Sequence, residues 1–240
     1  VKDFKSLGLA DPLLRALDDA GYNAPTPIQT EAIPLVLDSQ DLLGIAQTGT
    51  GKTAAFALPI LDRLAAERRR APAKGCRALV LAPTRELASQ IAESFRVYGR
   101  HLRLEVVTIF GGVSPRPQFR ALSRGIDILV ATPGRLIDHM STGAANLANT
   151  EILVLDEADQ MLDLGFAPSL RRIVAALPEE RQTLFFSATM PKAVSHLAAA
   201  FLNNPKRVSV TPVGTPADRV EQRVIHVGGA QKRVVLSIRL

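Results

Sequence analysis

The chain has 240 residues, 47% hydrophobic and 22% charged, which excludes a chain disordered by composition and allows an ordinary buried core. A single cysteine, Cys76, excludes an internal disulfide or a cysteine metal site, and His101, His139, His196 and His226 lack ligand spacing. The formal charge of +6 suits a polyanionic partner. No apolar run reaches membrane-spanning length and the first residues do not read as a signal peptide, so a cytoplasmic setting with no membrane is expected.

Asp11-Pro12 opens a helix bearing Leu13, Leu14, Leu17 and Ala20, and Gly21 closes it. Thr26 caps a second helix with Pro27 at its first position, and Gln29, three residues after the cap, completes a capping box. The apolar run Leu42–Ile45 reads as a strand. It leads into Ala46-Gln47-Thr48-Gly49-Thr50-Gly51-Lys52-Thr53 and then a helix through Ala54–Leu58.

Strand, glycine-bearing loop and helix in that order form the context of a phosphate-binding loop. The glycines let successive N–H groups curl around a phosphate, and the helix that starts at Lys52 adds its positive end. Lys52 would neutralise the β- and γ-phosphates, and the Thr53 hydroxyl would take one position on Mg²⁺. The motif starts with Ala46 where glycine is usual, which the loop tolerates if that residue keeps a negative φ. The basic run Arg68-Arg69-Arg70 with Lys74 reads as a solvated helix end and loop.

Further on, short apolar runs alternate with helical patterns. Arg77–Ala82 precedes a helix over Arg85–Tyr98, Leu104–Ile109 a helix over Pro117–Ser123, and Ile126–Ala131 a short helix from Arg135. Ile152–Leu155 precedes a loop and then a helix over Ser169–Leu177. Thr183–Ser187 precedes a helix over Ala193–Phe201, and Arg207–Val210 ends the series. Near-continuous apolar strands between helices predict an α/β fold with a mostly parallel sheet covered on both faces, its ligands at the carboxyl ends of the strands. At one such end, Leu155-Asp156-Glu157-Ala158-Asp159 places Asp156 to hold Mg²⁺ through water and Glu157 to orient and deprotonate an attacking water.

In this order the motifs resemble the DEAD-box ATP-dependent RNA helicases, and within them the bacterial RhlE-like group. The resemblance rests on Phe4, Gly21–Gln29, Ala46–Thr53, Pro83–Ala88, Gly111-Gly112, Thr132-Pro133-Gly134-Arg135, Asp156–Asp159 and Ser187-Ala188-Thr189. It implies a RecA-like P-loop domain that binds ATP and Mg²⁺. Gln29 would read the adenine, because an amide both donates and accepts, and Tyr22 backed by Phe4 would cover the base face. Thr84, Arg85, Gly111, Gly112, Thr132, Pro133, Gly134 and Arg135 would address RNA phosphates without reading base edges. Asp159, Ser187 and Thr189 would couple ATP state to unwinding.

The resemblance also implies a division of the chain. Residues 1–211 would form the N-terminal RecA-like domain. Residues 212–240 would be linker and the start of a second RecA-like domain, the partner that supplies arginines to the transferring phosphoryl group. The start without Met and the incomplete second domain are expected of an excised piece, inactive alone. Two other readings stay open: a nucleotide-gated RNA clamp or scaffold that does not unwind, and a DNA translocase, which Gly21–Gln29 argues against.

Overall fold

The computed structural model describes residues 3–67 and 69–210, so the expected linker and second-domain start at 212–240 lie outside the described residues. After a 3-10 turn at Phe4–Leu7 come α1 (Asp11–Asp19), α2 (Pro27–Leu37), β1 (Leu42–Ile45) and α3 (Lys52–Ala66). They are followed by β2 (Cys76–Leu81), α4 (Arg85–Tyr98), β3 (Val106–Ile109), α5 (Pro115–Leu122), β4 (Ile126–Ala131) and α6 (Pro133–Ser141). The series closes with β5 (Ile152–Leu155), α7 (Ala158–Asp163), α8 (Ala167–Val174), β6 (Gln182–Ser187), α9 (Lys192–Phe201) and β7 (Lys206–Ser209).

Among the described residues the seven strands form one sheet in the order β3-β4-β2-β5-β6-β1-β7, every pairing parallel. Side chains alternate across it. Ala78, Val80, Ile128, Val130, Val154 and Phe186 point into a core shared with α1 to α4. Their neighbours Leu79, Leu81, Leu129, Leu153, Leu155 and Phe185 point into a second core under α5 to α9. Both faces of the central strands are therefore dry, which is why those strands carry near-continuous apolar runs, while β3 is half-buried and β7 largely exposed.

Gly44 sits in β1 for lack of room. A Cβ there would stand 2.5 Å from the ring of Phe186, its register partner in β6. That ring in turn meets Phe56 of α3 with centroids 5.5 Å apart, so the missing side chain helps seat α3 close on the sheet.

The structure differs from the sequence expectation at several element ends, with α5 beginning at Pro115 and α6 at Pro133, each two residues before the expected start. Asp11 is the first residue of α1, with Ala10 in the capping position, and the Ala10 N–H donates to Asp62 Oδ1 instead. The expected loop after β5 contains α7, six residues too short to show a periodicity. The next helix begins at Ala167, with Pro168 in its first turn, two residues before the expected start. Arg77, unremarkable in the sequence, is only 1% exposed. Its guanidinium donates to Glu67 Oε2 at 2.7 Å, Glu151 Oε1 at 3.0 Å and the Leu64 carbonyl at 3.0 Å, tying the end of α3 to the amino edge of the sheet. Arg69 is solvent-exposed, as expected, and also pairs with Glu67 and Glu151 of this network.

Candidate functional site

The loop 46–53 leaves the carboxyl end of β1 and runs into α3, and Asp156 and Glu157 leave the carboxyl end of β5. One strand, β6, lies between them. A cleft of about 280 Å³ opens there, and Gly49, Gly51, Lys52, Thr53, Asp156 and Glu157 contribute to its lining. Thr53 and Asp156 thus face the same space, as a shared cation site requires. Gly49 and Gly51 both hold positive φ, at +86° and +93°, while Ala46 keeps a negative φ and donates its N–H to the Ser187 carbonyl at 3.1 Å. Ala46 is buried, Gln47 and Thr48 are exposed, and Thr50 folds its hydroxyl onto the Gln47 carbonyl at 2.8 Å.

Lys52 is the electrostatic centre. Its side chain is 5% exposed, its ammonium lies 3.7 Å from Asp156 Oδ1, and Nζ has no hydrogen-bond partner. A buried ammonium without acceptors is costly unless an anion completes its shell. Burial pushes the Asp156 carboxyl up to about 6, the charge of Lys52 draws it back, and the neighbouring Glu157 charge adds to the rise. Glu157 enters α7 with φ of +55°, a left-handed conformation that is strained for a residue with a Cβ. Its Oε1 accepts from the Thr48 hydroxyl at 2.8 Å, linking the two loops across the cleft.

Gln29 is 2% exposed and both ends of its amide are engaged. Oε1 accepts from the Thr26 N–H at 2.9 Å, the capping bond expected from the sequence, and Nε2 donates to the Gly51 carbonyl at 3.1 Å. Thr26 Oγ1 is buried without a partner. Tyr22 and Gln29 both line the cleft. Phe4 does not; it is 5% exposed in the core with Leu7 and Leu9. Three residues of α4 to which the sequence analysis gave no role of their own, Leu87, Ser94 and Tyr98, complete one wall.

Thr84, Gly111-Gly112 and Thr132–Arg135 follow β2, β3 and β4, which are neighbours on the other half of the same carboxyl edge. Thr84 caps α4, accepting from the Leu87 N–H at 3.2 Å, and Arg85 lies 4.7 Å over the Phe110 ring. Gly112 holds φ of +78° beside Arg85. Thr132 occupies the cap position of α6 without a side-chain bond to the helix, Pro133 follows, Gly134 passes Phe166, and both terminal nitrogens of Arg135 donate to the Val113 carbonyl at 3.1 Å. Two helix amino ends, a glycine turn and two arginines therefore sit together, a donor-rich strip suited to phosphate oxygens.

Asp159 in α7 accepts from both the N–H and the hydroxyl of Thr189, at 2.9 and 2.8 Å, and the buried Ser187 hydroxyl donates to the Thr189 carbonyl at 2.8 Å. Burial works to raise the Asp159 carboxyl, but the Thr189 hydroxyl and N–H, helped by the Gln160 N–H, outweigh it and hold it below the usual range. Among the described residues no group of three or more His, Cys, Asp or Glu side chains could hold a metal ion by itself. No helix there is long and apolar enough to cross a membrane.

The DEAD/DEAH box helicase family pattern matches residues 26–197. The RNA helicase CrhR of Synechocystis is 45% identical over 224 residues, covering 93% of this chain and 44% of that protein. The ATP-dependent RNA helicase DeaD of Escherichia coli is 45% identical over 234 residues, covering 97% and 36%. The crystal structure of a DEAD box protein from Methanococcus jannaschii superposes with a TM-score of 0.81 at 34% identity, covering 98% of this chain and 62% of that one. The chain therefore spans less than half the length of these two curated relatives. The motif order, the phosphate-type loop facing Asp156 across one strand, and a family match over most of the sequence agree, and the chain belongs to the DEAD/DEAH box helicase family.

Proposed function

We propose that this chain is the nucleotide-binding half of an ATP-dependent RNA helicase, acting with a second RecA-like domain to open short RNA duplexes locally. The observation that carries this reading is Lys52, a buried ammonium without a hydrogen-bond acceptor, aimed into a cleft walled by a glycine loop. The residues fit ATP. Main-chain N–H groups of 48–52 and the Lys52 ammonium take the phosphates, Gln29 reads the adenine edge, and Tyr22 covers the base. Phe4, buried at the start of the 3-10 turn, serves as core packing rather than at the cleft surface.

They also fit Mg²⁺, with the Thr53 hydroxyl and Asp156 holding an ion whose remaining ligands are phosphate oxygens and water. When bound, the ion supplies charge neutralisation between the β- and γ-phosphates. Glu157 orients the attacking water and accepts its proton, and its present bond to Thr48 must release for it to do so. The strip from Thr84 to Arg135 holds the RNA backbone, and recognition is independent of sequence because hydroxyls, glycine N–H groups, helix amino ends and arginines of this kind address phosphate oxygens. Asp159 and Thr189 relay the state of the cleft to the adjoining domain.

The test is strand separation by the full-length protein on a short RNA duplex, with Glu157→Gln as control. ATP-dependent opening that the substitution abolishes supports the reading. Tight ATP-dependent RNA holding without opening supports a clamp, and equal ATPase stimulation by DNA of the same sequence supports a DNA translocase.

A further inference from the structure

The α4 wall of the cleft contains a contact that no motif assigns. Tyr22 lies in the connection between α1 and α2, 39% exposed, where no helix or strand orients its ring. Its main chain is fixed by a hydrogen bond from its N–H to the Leu17 carbonyl at 2.9 Å. Its ring is held by Tyr98, the last residue of α4, which is 5% exposed. The two hydroxyls are 3.0 Å apart, and the rings meet edge to face with centroids 5.7 Å apart and planes at 82°. Both residues line the cleft. Burial and the bond to Tyr22 push the Tyr98 phenol well above its ordinary value, so the Tyr98 hydroxyl keeps its proton at neutral pH.

We propose that Tyr98 is a positioning residue for the base: through its hydroxyl and ring edge it fixes the Tyr22 ring so that a purine meets a preset face. The inference rests on the reading of Tyr22 as the base cover. A side chain that must be frozen on binding weakens affinity by about two- to ten-fold, and the contact with Tyr98 removes that penalty before the nucleotide arrives. A residue that merely filled the core would need neither the hydroxyl bond nor a place on the cleft surface. Phenylalanine at 98 keeps the ring and its packing and deletes only the hydroxyl, which separates the two roles.

The experiment is calorimetric titration of the chain with ADP and with inorganic tripolyphosphate, using wild type, Tyr98→Phe, Tyr22→Phe, the double variant and Tyr22→Ala. We expect Tyr98→Phe to weaken ADP binding about two- to ten-fold, to leave tripolyphosphate binding unchanged, and to lose nothing more when Tyr22→Phe is added. Unchanged ADP affinity in Tyr98→Phe, equal losses for both ligands, or additive losses in the double variant would each overturn the proposal. If Tyr22→Ala also binds ADP like wild type, the base-cover reading falls with it. If Tyr22→Ala weakens ADP binding and Tyr98→Phe does not, only the positioning role falls.

Discussion

Gly51→Ala strikes the glycine loop 46–53 where it is tightest. Gly51 holds φ of +93°, where an L side chain costs about 1–2 kcal/mol. An added methyl would overlap Gln29 Nε2 and stand 2.9 Å from Thr26 Oγ1. The Gln29 amide must move, and its bond to the Gly51 carbonyl, about 1 kcal/mol net, is lost with it. The sum is about 2–3 kcal/mol. Gly49 supplies the control: its φ is +86°, yet an added Cβ meets nothing within 4 Å, so only the backbone cost of about 1–2 kcal/mol applies. At this chain length each kcal/mol moves Tm by about 2–4 °C, so scanning calorimetry should find Gly51→Ala melting about 4–12 °C below wild type and Gly49→Ala clearly less affected. Equal losses in the two variants, or a wild-type Tm for Gly51→Ala, would refute the packing of Gln29 against the loop.

Three further outcomes are expected. Arg77→Met leaves Glu67 and Glu151 without their buried cation, and chemical denaturation should show a loss of about 3 kcal/mol, less if the half-exposed Glu67 rehydrates. Thr189→Val removes one donor to Asp159, at a cost of about 1 kcal/mol. The native Asp159 carboxyl sits below its unfolded value, so its contribution is present above about pH 4 and lost as pH falls through the native value; wild type and variant should therefore converge in acid unfolding curves. Arg85→Gln should weaken binding to RNAs of any sequence alike, and flatten the slope of log K against log salt by about 0.7 if one phosphate contact is removed.

Most of the fold was legible because the sheet is buried on both faces. Six of the strands read as near-continuous apolar runs bounded by loops, with polar interruptions such as Asp127 in β4 and Thr108 in β3, and β7, at the sheet edge with Lys206, Arg207 and Ser209 exposed, showed the weakest pattern. Helix α7 was hidden because six residues carry too little periodicity and because Glu157 enters it through a left-handed turn that no local rule assigns to glutamate. The nucleotide loop and the Asp156 strand end were visible as residue types at fixed spacing, since phosphate binding needs glycines and a lysine in sequence. Arg77 and Tyr98 were not visible. One looks like a polar residue opening a strand and the other like a core position of an amphipathic helix. Their partners are remote in the chain, Glu151 for Arg77 and Tyr22 for Tyr98, and only the tertiary fold brings them together. Gln29 was legible twice over, as helix cap and as cleft residue, and the structure gives one amide bond to the capping position and the other to the loop.

The central claim is that a buried Lys52, paired in charge with Asp156 but without a hydrogen-bond acceptor, grips a triphosphate together with the glycine loop. Its most direct test is calorimetric titration of ATP·Mg²⁺ into wild type, Lys52→Ala and Gln29→Ala. Truncating Lys52 should weaken binding at least about tenfold, since it leaves phosphate charge without its cation, and Gln29→Ala should weaken ATP more than tripolyphosphate. Equal ATP affinity in all three proteins would contradict the account.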